Sequence, residues 1–300
     1  MVAHRRPTSS REANKDAETP KQSAGAFGQG AKAVKEGAGV PEKKESLLSV
    51  ILWVATFVFI FKSFFIDTFW IPSGSMEPTL DVGDFIVVTK WSYGYNRHSL
   101  MFDPPIFKGQ RIFAREPQRG DVVVFDATAE NPGAPGSNLR RYIDLENGGR
   151  HVIKRVVGLP GDRVNINDGL IEITTAGGEV LTFTREQASA RERIGESALA
   201  EVYRETTPED RSYLVREWRG NTAGDNFDTA NGGWFNHFDK GVVPKGHVFV
   251  MGDNRDRSGD SRGSLRSIPI YKIIGQAQFT VFSLNDNWLP RWDRFFRPIR

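Results

Sequence analysis

Apolar residues along this chain follow two different patterns. From Leu47 to Phe61 the run LLSVILWVATFVFIF carries no charge and shows no polar face. Lys62 interrupts it and Ser63 to Ile66 extend it, so the apolar block covers residues 47–66. About 20 such residues are enough for one helix to cross the hydrocarbon core of a bilayer. Lys62 sits near one end, where its long stem can carry the ammonium to the interface. A cleaved signal peptide has a shorter apolar core with a small-residue cut site after it, and neither fits here. A buried core helix is the other reading, and such helices are usually shorter. The block is therefore predicted to be a single transmembrane helix.

Past residue 66 the pattern changes to short β-branched runs bounded by Gly, Pro and Asp. DFIVVTK (84–90), DVVVFD (121–126), HVIKRVVG (151–158) and HVFVMG (247–252) read as strands. GQAQFTVF (275–282) alternates in strand fashion, and residues 202–217 read as a hairpin turning at Pro208-Glu209-Asp210. Stretches around 103–120 and 127–150 are rich in Pro and Gly and long for loops, a length usually associated with function or mobility. Residues 1–46 hold almost no large apolar side chains and are predicted to be a disordered tail, because they cannot bury enough surface to offset their ordering entropy. The fold class expected is mainly β, in one large region, residues 67–300, after the apolar span.

Charge adds an orientation. Lys32, Lys35, Lys43 and Lys44 precede the span, whereas after Lys62 the next basic residue is Lys90. The positive-inside rule then places the N-terminus in the cytoplasm and residues 67–300 on the outer face of the cytoplasmic membrane. The net charge of +3 over 300 residues gives no argument for a nucleic-acid partner. With no cysteine, a disulfide framework, a zinc–thiolate site and a cysteine nucleophile are all excluded.

The first candidate for chemistry is Ile71-Pro72-Ser73-Gly74-Ser75-Met76-Glu77-Pro78-Thr79-Leu80. Prolines fix φ and glycine permits close backbone approach, so this is a shaped turn rather than a slack linker. Such a turn can present a hydroxyl and aim backbone N–H groups at an oxyanion. A juxtamembrane turn without chemistry would use the same residues. A serine nucleophile needs a base. The G-x-S-x-G elbow is absent at Ser75, and no serine is followed three residues later by lysine. The five histidines stand in no recognisable triad context.

Lys154 is the better base. In a strand its side chain shares a face with Val152 and Val156, while Arg155 points the other way. An ammonium on an apolar face is desolvated, which lowers its pKa and lets the neutral amine accept a proton. A lysine snorkelling off a sheet edge is the plainer alternative. The third element, Met251 to Arg262, holds three aspartates and three arginines that suit an ion-paired turn. It is not a calcium loop, since Ser258 stands where such a loop needs glycine. From there Ser258 can hydrogen-bond and orient a base; a solvated loop is the alternative.

Taken together and in order, PSGSMEPTL, GDFIVV, RGDVVVF, KRVVGLPGD and GDNRDRSGDSR, all after one apolar span, resemble bacterial type I signal peptidase. The resemblance covers residues 66–91, 119–126, 151–164 and 243–262. It implies a catalytic domain of antiparallel β-sheets with a variable inserted β region at about 165–242. It implies Ser75 as nucleophile, Lys154 as general base, Ser73 as an oxyanion-hole hydroxyl beside the Ser75 N–H, and Ser258 as the residue orienting the lysine. Asp260 and Arg262 match a supporting ion pair. Ile71, Pro72, Met76, Leu80, Val152 and Ile153 match positions around the shallow pockets for substrate residues. Val152 departs from the aromatic residue usual there. After Arg262 the chain reads GSLRSIPIYKIIGQA in place of the family's aromatic-Gly-Phe-Val-Pro run.

The function implied is removal of signal peptides from exported preproteins with small residues in an A-x-A pattern. Membrane lipid and the export machinery are the implied partners, with no nucleic acid, metal or cofactor. A self-cleaving Ser/Lys repressor shares the dyad, but the apolar span and the lack of a helix-turn-helix pattern oppose it. A degenerate relative acting as an assembly factor has no reason to keep both Ser75 and Lys154.

Overall fold

The computed structural model describes residues 46–99, 111–127, 151–188, 192–194, 198–218, 227–228, 241–263 and 265–300. The expected tail up to residue 45, and most of the two long loops, lie outside the described residues. The apolar block forms a helix, α1 (Leu47–Phe64), with a mean hydropathy of 2.2 and almost no burial. Among the described residues it is the one helix long and apolar enough to cross a membrane.

The helix ends two residues short of the expected boundary. Its last backbone bond runs from Phe65 N–H to the Phe61 carbonyl. Ile66 already belongs to β1 (Ile66–Trp70), which pairs antiparallel with β2 (Asp84–Thr89), from Ile66 opposite Thr89 to Trp70 opposite Phe85. Apolarity alone did not reveal this switch. β-branched Ile66 and Thr68 favour a strand once a partner edge is present. At the junction the buried Lys90 ammonium donates to the Lys62 carbonyl at 2.8 Å and pairs with Asp67 at 3.2 Å, which caps the last helical turn.

The remaining strands are β3 (Val122–Asp126), β4 (His151–Gly158), β5 (Arg163–Asn167), β6 (Leu170–Thr174), β7 (Val180–Thr182) and β8 (Thr184–Gln187). They continue as β9 (Glu192–Ile194), β10 (Ala198–Thr206), β11 (Ser212–Trp218), β12 (Phe227–Asp228), β13 (His247–Met251), β14 (Ile268–Pro269), β15 (Ile273–Ser283) and β16 (Arg297–Pro298). The main sheet has the order β1-β2-β15-β3-β4-β13-β14, with β16 paired to β15. Two smaller sheets, β11-β10-β8 with β9 on β10, and β12-β5-β6-β7, occupy the region expected to be an inserted β segment. All the named strand pairings are antiparallel. The expected hairpin is β10–β11, closing with Thr206 opposite Ser212 and Asp210 at φ 64°.

Strand alternation divides the core of the main sheet between its two faces. Val122 and Val124 join Ile71, Met76, Leu80, Ile86, Val88, Ile274 and Ala277 on one side. Val123 and Phe125 join Tyr93, Val156, Val248, Val250, Ile268 and Ile273 on the other. Full burial of side chains this size stabilises by about 1.5–3 kcal/mol each. The pairing of β13 with β4 ends at Met251 opposite Arg155. Among the described residues no strand pairs with Val152–Lys154 on that side, and the serine turn approaches Lys154 there.

Candidate active site

The serine turn is closed at its base by two backbone bonds: Ile71 N–H to the Asp84 carbonyl and Gly83 N–H to the Ile71 carbonyl, both 2.9 Å. Met76 and Leu80, fully buried, pin its middle to the sheet core. Between these anchors Gly74–Met76 forms one 3-10 turn, entered from Ser73 in extended conformation (φ −137°, ψ 151°). Ser75 is half-buried and Ser73 is exposed.

The Lys154 ammonium nitrogen donates to Ser75 Oγ at 2.7 Å and to the Ile153 carbonyl at 2.9 Å. Only 3% of Lys154 is exposed. Burial lowers its pKa from 10.5 to about 8, against the opposing pull of Asp260 and Asp253. The desolvated amine expected from the strand pattern is therefore present, within contact of a serine hydroxyl.

The loop after β13 closes over this pair. A Cβ on Gly252 would lie 2.2 Å from Ser258 Oγ and 2.5 Å from the Ser75 carbonyl oxygen, so only glycine fits between them. Ser258 Oγ is buried and, among the described residues, makes no hydrogen bond. The geometry thus brings Ser258 beside the Ser75 backbone, and the hydroxyl shows no bond to Lys154. Asp260, 1% exposed, pairs with Arg262 at 2.9 Å and accepts from Gly252 N–H at 3.1 Å. Arg155 points away from Lys154, as alternation requires, and holds Asp253 through 2.8 and 2.6 Å bonds.

The apolar positions divide. Ile71, Met76 and Leu80 are buried in one cluster, with Ile153 packed against it. Val152, on the opposite strand face, packs against the other cluster with Val156. Pro72 is exposed. Of the histidines, His151 stacks edge-on against Phe69 at 5.3 Å and His247 faces the Lys245 carbonyl. Among the described residues no three His, Asp or Glu side chains form a metal-ligand cluster.

Three site neighbours were not singled out from sequence. Asn254 binds the Ser75 carbonyl through its N–H at 3.1 Å and the Gly74 carbonyl through Nδ2 at 2.9 Å. Glu77 pairs with Arg216 of β11 at 2.6 Å. Burial lifts the Glu77 carboxyl above its ordinary value, with Arg216 pulling the other way. Asn254 lies inside the loop motif and Glu77 inside the serine turn, so both were within reach of the sequence. Arg216 carried no signal of its own.

Residues 44–282 match the family described as signal peptidase, peptidase S26. The chain belongs to this family. Relatives named signal peptidase I include one from Rickettsia typhi, 36% identical over 247 residues, which spans 80% of each chain. One from Rickettsia akari is 35% identical over 254 residues, covering 80% of this chain and 81% of its own. A signal peptidase I structure from Enterococcus faecalis aligns over 54% of this chain and 97% of that one, at 21% identity and TM-score 0.29. Membership rests on the family match and the Rickettsia relatives.

Proposed function

We propose that Ser75 is the nucleophile and Lys154 the general base with which this family member removes signal peptides from preproteins. The observation that carries the assignment is the 2.7 Å contact between Ser75 Oγ and the nitrogen of a lysine that is only 3% exposed, its pKa lowered to about 8. A neutral Lys154 takes the hydroxyl proton as Oγ attacks the scissile carbonyl. The Ser75 N–H and the Ser73 hydroxyl stabilise the oxyanion, a term worth about 10²–10³ in kcat per donor. Lys154 passes the proton to the departing amine, leaving an acyl-enzyme. That departing amine is the N-terminus of the mature protein, so the ester left on Ser75 holds the signal peptide. Lys154 then takes a proton from water as the water attacks the ester, and returns it to Ser75 Oγ as the signal peptide leaves.

In this reading Ser258, buried with an unused hydroxyl, orients the lysine once substrate is bound. Asp260 and Arg262 brace the loop that carries it. Ile71, Pro72, Met76, Leu80, Val152 and Ile153 shape the shallow pockets for small side chains at the cleavage site. The segmentation is a tail (residues 1–46), a membrane helix and an extracytoplasmic peptidase region (residues 67–300) with its β insert. The helix crosses the cytoplasmic membrane once with its N-terminus in the cytoplasm. Membrane lipid and the export machinery are then its neighbours, and a substrate held in the same bilayer reaches Ser75 at raised effective concentration.

The test is cleavage of a preprotein by the purified full chain in proteoliposomes, with the new N-terminus sequenced. Wild type yields the mature N-terminus and Ser75→Ala yields none. Cleavage by Ser75→Ala removes Ser75 from the mechanism. Protease added outside spheroplasts degrades residues 67–300 and spares the tail; a protected C-terminal region reverses the topology.

A further inference from the structure

One of the contacts by which the β insert reaches the serine turn is the side chain of Arg216. Arg216 of β11 sends Nη1 to Glu77 Oε2 at 2.6 Å, two residues beyond Ser75. Its own backbone N–H binds the Asp253 carbonyl at 2.8 Å, and Arg216 pairs with Asn254 through an isolated parallel bridge. Asn254 in turn holds the carbonyls of Gly74 and Ser75, and its Nδ2 lies 3.5 Å from the same Glu77 oxygen. The Glu77 carboxylate folds back over the turn, so that a Cβ on Gly74 would meet it at 2.7 Å. The circuit closes: Ser75 carbonyl, Asn254, β11, Arg216, Glu77, and back to the serine turn.

We infer that Arg216 is a positioning residue for Ser75, acting through Glu77 and Asn254, so that the inserted β region takes part in setting the geometry of the catalytic serine. The inference rests on the Ser75/Lys154 reading. The main sheet grips the turn through Met76 and Leu80 and through the backbone bonds at its base. The two carbonyls flanking the Ser75 peptide are gripped from the opposite side, by Asn254. Asn254 is itself held in line by β11. Between the two grips, Ser75 can move relative to Lys154 only if the turn slides, and sliding stretches the Arg216–Glu77 bond. The pair is part-buried, with 14% and 26% of the two side chains exposed, so it is screened less than a surface pair. A misplacement of about 1 Å at a reacting atom costs about 10²-fold in rate.

The role predicts a loss in kcat with little change in KM, because the apolar positions Ile71, Leu80 and Ile153 are anchored in the sheet core outside this circuit. It also predicts an unmoved ascending limb of the pH profile, because Lys154 keeps its own surroundings.

The experiment uses the full chain in proteoliposomes with a preprotein substrate. It measures kcat, KM, the pH profile and the melting temperature for wild type, Arg216→Met, Arg216→Lys, Glu77→Gln and the Arg216→Met/Glu77→Gln double variant. Arg216→Met is expected to lower kcat about 10²-fold at unchanged KM. Arg216→Lys, which keeps the charge but not the fork, recovers part of it. The double variant loses no more than Arg216→Met alone, because the two residues act as one unit. If Arg216→Met does not fold, Glu77→Gln and Arg216→Lys carry the same test through kcat at unchanged melting temperature. Wild-type kcat in folded Arg216→Met, a loss confined to KM or to the melting temperature, or additive losses in the double variant overturns the inference. Ser75→Ala and Lys154→Arg run alongside separate the two claims. Activity in either removes the dyad, whereas two dead dyad variants beside a fully active Arg216→Met remove only the positioning role.

Discussion

Ser75 Oγ and Lys154 Nζ lie 2.7 Å apart although 79 residues separate them in the chain. The proposed base role and a merely resident charge predict different outcomes at this contact. Guanidinium is effectively never deprotonated in a protein, so Lys154→Arg keeps the charge and loses the base. The expected loss in preprotein cleavage is at or beyond the upper end of about 10²–10⁴-fold. In wild type, activity rises as pH passes through about 8, where the buried amine gives up its proton. Cleavage measured from mildly acidic to strongly alkaline pH checks both points. An active arginine variant, or a limb near the ordinary lysine value of 10.5, contradicts the geometry.

The same burial has a consequence for stability. The folded-state pKa of Lys154 is lowered from 10.5 to about 8, so between those values the unfolded chain holds the proton that the folded chain has released. Stability therefore rises with pH across that window and is at its lowest below it. The gap corresponds to about 3 kcal/mol at most. Lys154→Met, of similar length and apolar, is expected to melt higher than wild type at neutral pH. Its advantage should shrink as pH approaches 10.5. Melting curves of both proteins in detergent at pH 7 and pH 10 decide it, and a constant difference rejects the dry environment.

Asp260 influences Lys154 as well as Arg262. Its carboxylate is almost wholly buried and holds the lysine pKa up, against desolvation. Asp260→Asn removes that pull, so the ascending limb of activity should move below about 8. The variant also leaves Arg262 without its carboxylate partner. Breaking a buried pair costs about 3–5 kcal/mol, and less here because Arg262 is 11% exposed. A pH–rate profile and a melting curve on the same variant separate the two effects. An unmoved limb with wild-type melting reduces the loop to a solvated turn.

The C-terminal segment divides its aromatic and basic residues. Arg294 is buried and holds Asp84 at 2.6 Å, and Arg291 reaches Asp81 at 3.3 Å, so both arginines pin the segment to the protein. Trp288, Leu289, Trp292 and Phe296 remain 59–73% exposed. Trp288 meets Trp70 edge-on at 5.7 Å, extending a ladder that runs through Phe85 and Phe282. Lipid contact here would come from aromatic surface more than from charge. Residues 67–300 carrying Trp288→Ser and Trp292→Ser should float less with liposomes, with neutral lipid serving nearly as well as anionic lipid. Equal flotation of variant and unsubstituted protein removes the contact.

Much of this protein was written in local patterns. Short β-branched runs bounded by Gly, Pro and Asp marked β2, β3, β4 and β13, and alternation marked most of β15, because both signals show in any short window. An apolar block marked α1 for the same reason. The turn residues Pro208 to Asp210 marked the β10–β11 hairpin, and the family motifs marked Ser75, Lys154 and the loop of Ser258, Asp260 and Arg262. Alternation names a face but not the partner strand. It therefore placed Lys154 on an apolar side without showing that β13 stops at Met251 and leaves room for the serine turn there. The end of α1 at Phe64 depended on β2 offering a whole edge to Ile66–Trp70, a contact that hydropathy does not encode. Arg216 shows the same limit most clearly. On a strand of mixed polarity its side chain could face water or protein, and only the closure of the β10–β11 hairpin against the loop after β13 brought it to Glu77.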